Sequence, residues 1–377
     1  MSPGWKANSR MDVVIAGFGT ALPGHPILQA EAGKVAVTFC CDQPEQGRSV
    51  EALYRAAGVE SRHSVVLNDA QGPATQRQNF YPPRSPESPR GPTTGQRMQY
   101  FEHAAGPLAV AAATQALERS GVDSKRITHL VTVSCTGFSA PGFDHALIEQ
   151  LPLRATVART QVGFMGCHAA LNGLRVARAY VAADPNAVVL VCCVELSTLH
   201  YQYGWDPEQI VANSLFADGA AACVVQSADA DGNGSKPPYR VLASGSVILP
   251  NSRDAMTWRV GDHGFRMTLS PSVPELLATH LLPWLTEWLA DHNQSPASIR
   301  TWAVHPGGPR ILRGFADAMH VSLDQLHVSR EILRQHGNMS SPTLLFILNK
   351  LAELQAPTPC VAIGFGPGLA AEATLLG

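Results

Sequence analysis

Long apolar runs are missing from this 377-residue chain. With no stretch of about 18 consecutive apolar residues, no membrane-spanning helix is expected. An excess of positive charge is missing too. The 28 Lys and Arg stand against 30 Asp and Glu, a net charge of -2, which leaves no polycationic footprint for nucleic acid. The opening segment, MSPGWKANSRMDVVIAGFG, lacks the charged start, apolar stretch and small-residue cleavage site of a signal peptide, so a cytoplasmic protein is expected. The cysteines, at 40, 41, 135, 167, 192, 193, 223 and 360, include no Cys-x-x-Cys spacing for zinc. Their two adjacent pairs suit no small disulfide framework either, so most should be buried, reduced thiols and no metal site is expected. What is plentiful is apolar: 45% of residues, enough for a large core in a chain longer than one core usually serves. Two domains or two fused halves are expected.

Met11 to Ala21 reads as a buried strand ending in glycine turns, and Ala187 to Val194 as a second continuous apolar strand. Met98 to Ser120 carries Ala and Leu at helical spacing and stops before Gly121, with a strand at Ile127 to Ser134 behind it. Val65 to Thr94, rich in Pro, Gly, Ser, Arg and Gln, reads as a long surface excursion. The polar stretch Ser227 to Lys236 reads as a boundary between residues 1–235 and 236–377. Beyond it come a strand at Tyr239 to Ile248 and a helix from Val273 to Asp291. That helix has an apolar face of Leu281, Trp284, Leu285, Trp288 and Leu289 despite Pro283. A strand at Thr301 to Val304, a helix at Pro342 to Leu354 and a final strand at Cys360 to Phe365 follow. Strands alternating with helices in both halves predict α/β layers, although no repeat between the halves is visible in the residues.

Three places carry chemistry. In Gly163-Phe164-Met165-Gly166-Cys167-His168, a strand-like arrival, a Gly turn and an Ala-rich run put Cys167 at a helix N-terminus, where unpaired N–H groups and the helix dipole favour a thiolate. His168 is adjacent and diverges from it by about 100° on a helix, which makes it a poor base. His305, in Val304-His305-Pro306-Gly307-Gly308-Pro309, ends an apolar strand ahead of an open turn and can reach into a loop-built site. Ser341 as N-cap and Pro342 at the first helical position leave Gly337-Asn338 in the preceding loop. There Asn338 is either a fixed hydrogen-bond donor for developing negative charge or one half of a Gly-Asn turn.

These strings, together with the ending Gly364-Phe365-Gly366-Pro367-Gly368, resemble the chalcone synthase superfamily, the type III polyketide synthases. The resemblance spans nearly the whole chain. It implies a thiolase fold, a five-layered αβαβα sandwich of two similar halves, the first carrying Cys167 and the second His305 and Asn338. It also implies a homodimer without cofactor that takes malonyl-CoA and an acyl-CoA starter. In such an enzyme Cys167 is acylated, His305 keeps it ionised, and His305 with Asn338 stabilises the enolate left by malonyl decarboxylation. Phe216 matches the aromatic gate between CoA tunnel and cavity, and Met267 stands at the position of the second gating aromatic. Cys135, Thr136, His200 and Ser340 fall at cavity positions, and Ala140 at the loop position that crosses to the partner's cavity. Arg55, Arg62 and Arg310 are the best-placed cations for CoA phosphates.

Several of these positions depart from the plant pattern, and the departures point to a fatty acyl starter with alkylpyrone or alkylresorcinol products. The alternative is a malonyl-primed, tetrahydroxynaphthalene-type synthase, for which Cys135 is the match. An initiating β-ketoacyl-ACP synthase shares the fold but carries His-Gln-Ala-Asn where this chain has His305-Pro306-Gly307-Gly308. A thiolase needs a second reactive Cys in a Cys-x-Gly string, and Cys360 reads as strand core instead. A silent binding homologue would be expected to have lost one of the three residues.

Overall fold

The computed structural model describes residues 12–69, 71–73, 75–230 and 237–377. Met11 and the expected boundary at 235/236 lie outside the described residues. In chain order the strands are β1 (Val13–Ala21), β2 (Pro26–Leu28), β3 (Ser61–His63), β4 (His129–Ser134), β5 (Ala158–Gly163), β6 (Val189–Leu196), β7 (Asp218–Ser227), β8 (Tyr239–Ile248), β9 (Met256–Gly261), β10 (Gly264–Leu269), β11 (Thr301–Val304), β12 (Cys360–Gly366) and β13 (Ala370–Leu376). The helices are α1 (Gln29–Cys40), α2 (Gly47–Ala56), α3 (Thr94–Ser120), α4 (Phe143–Gln150), α5 (Ala169–Ala183), α6 (Pro207–Leu215), α7 (Val273–Ala290), α8 (Pro309–Met319), α9 (His327–His336) and α10 (Pro342–Glu353).

The internal duplication that the residues hide is plain in the strand pairing. From β1 the first half runs β1-β7-β6-β4-β5, and from β8 the second runs β8-β13-β12-β11. In each, two antiparallel steps are followed by a parallel one. The halves meet where Val14 and Ile15 pair with Arg240 and Tyr239. Three apolar clusters then fill three interlayer spaces. One joins α1, α3 and α4 to the first half's sheet, and another joins α7 and α8 to the second. The third, around α5 and α10, contacts both halves, including Val131 and Val191 on one side and Ala303 and Ala362 on the other. Helix, sheet, helix, sheet, helix is the five-layered sandwich of the thiolase fold. β6, VLVCCVEL, is buried along its whole length because helices cover both faces, whereas β5 has exposed positions and forms the sheet edge.

α3 shows how local signals set an element. The Thr93 side chain accepts from Gln96 N while Gln96 reaches back, and Gly121, at φ 66°, ends the helix in the left-handed conformation. Pro283 is tolerated in α7 on the exposed side, and Leu281, Leu285, Trp288 and Leu289 are buried as their spacing predicts.

Other expectations need correction. Gly17 and Gly19 lie within β1 rather than in turns, because a Cβ on either would run into the α3 backbone. The described residues between 65 and 93 form no helix or strand but are not merely superficial: Val66, Leu67 and Tyr81 are buried, and Asp218 holds Val65 N at 2.8 Å. Cys360–Gly366 is not the last strand, since the chain turns at Pro367 and Gly368 (φ 75°) and returns as β13. All eight cysteines are free, and only Cys41 and Cys167 keep appreciable surface. Among the described residues no helix is long and apolar enough to cross a membrane, and no group of three or more His, Cys, Asp or Glu is placed to hold a metal.

Candidate active site

Leaving β5, the chain passes Phe164 and Gly166 at positive φ and enters α5 through a turn in which Ala169 N bonds Gly166 O at 3.0 Å. Cys167 sits in that turn, deep in the protein with part of its surface open to a cavity. Gly166 is required here: with φ 82°, any Cβ would collide with Pro367, the residue after β12. Burial pushes the Cys167 thiol up to about 11. Hydrogen bonds from Ser340 and Asn338 to the sulfur oppose that rise, and the nearby Glu195 charge adds to it.

Asn338 is fixed from both ends. Its backbone bridges to the Phe216 segment, with Asn338 N to Leu215 O at 2.8 Å and Ala217 N to Asn338 O at 2.9 Å. Its Oδ1 accepts from Ser340 N at 2.8 Å, so the amide NH2 is the end turned toward the sulfur. Ser341 stands at the N-cap of α10 as predicted, yet its hydroxyl donates to Glu195 Oε1 at 2.6 Å instead of capping the helix.

His305 follows β11, and its N donates to Ile363 O of β12 at 2.8 Å. Farther along β12, Gly364 and Gly366 lie against His168, so this strand's end touches the segments of both Cys167 and His305. Both His305 ring nitrogens are buried without a partner. Burial, and then the proximity of His168, lowers its imidazole to about 3. Burial is the largest cause of both shifts. The arrangement fits an imidazole that takes the thiol proton as the sulfur attacks. His168 Nδ1 is occupied by Asn172 Oδ1 at 2.7 Å, in keeping with its exclusion as the base.

The cavity at Cys167, about 380 Å3, is lined by Cys135, Thr136, Met267 and Ser340, four of the expected pocket positions, and by the expected gate Phe216. The Thr136 hydroxyl, however, is used to donate to Glu195 and to accept from Leu196 N. His200 does not line this cavity. It borders a second chamber, its Nε2 bonding Thr136 O at 2.7 Å and its Nδ1 accepting from Phe265 N at 3.0 Å. Ala140 is exposed and lines neither space within one chain.

The arginines divide. Arg62 is corrected: it is buried, donating to Asn213 O and Phe216 O at 2.6 and 2.9 Å, so it anchors the Phe216 backbone and has no head free for phosphate. Arg55 is exposed and pairs with Glu51 at 3.8 Å. Arg310 lines a surface cleft of about 1,460 Å3 that also presents Arg313, Gly307, Gly308 and Leu215, close in sequence to His305 and Phe216.

Three site residues went unread in the sequence: Glu195, Ser197 and Trp258. Glu195 is the penultimate residue of β6, the apolar strand that had been read as stopping at Val194, and a lone acid there was the available signal. Fully buried, it accepts from Cys135 N (2.9 Å), Thr136 Oγ1 (2.7 Å) and Ser341 Oγ (2.6 Å), and burial raises its carboxyl to about 7. Since the folded state prefers the protonated form, this group's contribution to stability falls as pH rises from the ordinary carboxylate range through about 7 and is flat above. Glu195→Gln should remove that slope, up to about 3 kcal/mol between pH 5 and 8 in denaturant melts. It should also speed iodoacetamide labelling of Cys167 at pH 8 by about threefold to tenfold, because a negative neighbour is gone. Unchanged labelling would show that Glu195 does not act on the sulfur.

This geometry agrees with the comparisons. The chalcone and stilbene synthase N-terminal domain model matches residues 6–229 and the C-terminal domain model residues 240–377. The alpha-pyrone synthesis polyketide synthase-like Pks18 of Mycobacterium tuberculosis is 32% identical over 368 residues, covering 96% of this chain and 90% of that protein. A 1,3,6,8-tetrahydroxynaphthalene synthase of Streptomyces peucetius is 31% identical over 365 residues, covering 96% and 92%. Among solved structures, PKS-I of the brown alga Ectocarpus siliculosus superposes with a TM-score of 0.89 at 31% identity, covering 98% of this chain and 99% of that one. The type III domain of Steely1 from Dictyostelium gives 0.85 at 27% identity, covering 97% and 99%. The chain therefore belongs to the chalcone and stilbene synthase family and is a type III polyketide synthase, an acyltransferase that condenses malonyl-CoA onto an acyl-CoA starter.

Proposed function

We propose that Cys167 is the acyl-carrying nucleophile, His305 its proton acceptor, and His305 with Asn338 the donors to the enolate. The arrangement that carries this reading is the Cys167 sulfur facing the Asn338 and Ser340 donors at a largely apolar cavity, with a buried, unpaired imidazole at the end of β11. His305 takes the thiol proton as sulfur attacks the starter thioester, then returns it to the departing CoA sulfur. In the next half-reaction the bond to the malonyl carboxylate breaks, CO2 leaves, and the electron pair becomes an enolate whose oxygen meets the His305 and Asn338 N–H groups. Enolate carbon attacks the acyl carbonyl, the bond to Cys167 sulfur breaks with the electron pair leaving on sulfur, and the lengthened chain leaves on CoA while the thiolate takes up a proton from solvent.

Arg310, with Arg313 beside it, is well placed for CoA phosphates at the mouth of its cleft, and Arg55 is a peripheral cation. The working unit is a cytoplasmic homodimer. Exposed Phe138, Phe164 and Met165 beside the edge strand β5 support a second copy docking there, with Ala140 reaching toward its cavity. The unit is divided near 235/236, Cys167 on one half and the other two residues on the second. The products are alkylpyrones or alkylresorcinols from a fatty acyl starter, a reading supported by the relative named for alpha-pyrone synthesis.

Incubating the enzyme with malonyl-CoA and a panel of acyl-CoAs, with mass spectrometry of the products, tests this. Long-chain starters should be extended and cyclised. A single starter-independent aromatic product would favour the malonyl-primed alternative instead, and extension only from a carrier protein would favour an initiating synthase.

A further inference from the structure

The catalytic cavity has a second thiol in its wall that the reaction leaves unused. Among the described residues, Cys135 and Cys167 are the two cysteines that line this space. The Cys135 sulfur lies against the turn that carries the nucleophile: Gly166 N donates to it at 3.0 Å, and Gly166 O stands 3.6 Å away. Gly166 immediately precedes Cys167. The remaining six thiols border other parts of the fold, five of them buried and Cys41 half-buried.

Both backbones are fixed at this point. Cys135 N donates to Glu195 Oε2 at 2.9 Å and Cys135 O accepts from Trp258 Nε1 at 2.8 Å, so this residue can turn little more than its side chain. On the facing segment Gly166 is wedged against Pro367, and its carbonyl is held by Ala169 N at 3.0 Å. Two pinned backbones leave each sulfur a short arc about its own Cα–Cβ bond at the edge of one cavity. Burial, followed by the Glu195 charge, raises the Cys135 thiol well above its ordinary value, and the Gly166 N–H opposes that rise. At rest Cys135 is therefore a weak nucleophile. Against a strong electrophile beside it, the Gly166 N–H meets the negative charge that develops on its sulfur.

We propose that Cys135 is the resolving thiol of a peroxide-sensitive pair, closing a disulfide onto Cys167 once a hydroperoxide has oxidised the nucleophile. The inference rests on the proposed function in one respect, that Cys167 is the reactive thiol. First, the Cys167 sulfur attacks the peroxide: an S–O bond forms, the O–O bond breaks, and the thiol proton taken by His305 leaves with the departing hydroxide as water. Sulfur is thereby oxidised to a sulfenic acid and the peroxide reduced. The Cys135 sulfur then attacks the Cys167 sulfur: an S–S bond forms, the S–O bond breaks, and the Cys135 proton joins the departing hydroxide as a second water. Hydrogen peroxide, scarcely larger than water, fits a cavity of about 380 Å3. The result is a brake on acyl loading at an oxidation level that a thiol reductant reverses, in place of a sulfinic acid that it does not.

The test exposes the enzyme to hydrogen peroxide, alkylates the remaining thiols and digests with trypsin, which leaves Cys135 in residues 127–154 and Cys167 in residues 160–175. A linked pair of these two peptides, parted by dithiothreitol, should build up as polyketide formation is lost, and dithiothreitol should restore most of the lost activity. Preloading with a starter acyl-CoA, which turns the Cys167 sulfur into a thioester, should suppress the link. Cys135→Ser should accumulate sulfinic Cys167 severalfold faster than the wild type at equal exposure, and Cys135→Ala serves where the serine variant does not fold. Both readouts are peptide masses, so neither variant needs to be active. A wild type whose Cys167 goes to sulfinic acid without the link, and as fast as in the Cys135 variants, overturns this inference alone. A Cys167 that peroxide and iodoacetamide modify no faster than the other seven thiols overturns its assignment as nucleophile along with it.

Discussion

Cys167→Ala should abolish polyketide formation while malonyl-CoA is still decarboxylated. Without the sulfur no acyl-enzyme forms, so extension loses its electrophile. The enolate's partners remain, because Asn338 is held by Ser340 N and by the backbone bridge to Phe216, neither of which involves Cys167. Asn338→Ala should instead reduce both reactions, by about 100- to 1,000-fold, the usual loss when one prepared donor to an oxyanion is removed. Acetyl-CoA release from malonyl-CoA alone, measured beside product formation with a starter, separates the two activities. Undiminished polyketide output from Cys167→Ala would end its assignment as nucleophile, and full decarboxylation by Asn338→Ala would end the donor role.

Gly19→Val should be among the most destabilising single changes outside the site. β1 and α3 approach closely at Gly17 and Gly19. A Cβ at Gly19 would collide with Ala112 O, and one at Gly17 would lie 2.6 Å from Ser120 N. These are backbone atoms of a helix whose inner face is Ala105, Ala109, Ala112, Ala113 and Ala116, all buried, so α3 cannot yield locally and would have to move as a body. Overpacking of this kind typically costs about 1–3 kcal/mol, and the β-branched residue should reach or exceed the upper figure. Equilibrium denaturation with the neighbouring Ala21→Val, partly exposed at the strand's end, as control checks it. Equal stability of the two variants would refute the close approach.

Both predictions combine something legible in the sequence with something that was not. The Gly-x-Gly of β1 and the alanines of α3 were each visible, as a turn signal and as helical spacing, but their mutual purpose was not. Only docking makes a missing Cβ on one element the complement of an alanine face on another. Arg62 repeats the lesson. It was expected as one of three cations for CoA phosphates, whereas the fold buries it against two carbonyls of a segment about 150 residues away. Glu195 was invisible as a site residue because its partners come from two distant segments, Cys135-Thr136 and Ser341.

By itself the sequence determined the element types and the reacting groups. Strands at Tyr239–Ile248 and Thr301–Val304 fall where the sequence places them: the second is buried at every position, whereas the first alternates buried and more exposed residues, as a strand covered on one face does. Cys167, His305 and Asn338 stand at element ends among Gly and Pro, where local backbone geometry exposes a side chain. Tertiary structure alone decided the duplication, the burial of the thiol and imidazole, and the second chamber. Duplication resides in strand order, which different side chains can share. Protonation depends on burial, a property of everything packed around a group. A chamber is the space left between residues 27–81, 197–216 and 258–267, and no local pattern along the chain encodes a volume that three distant segments enclose.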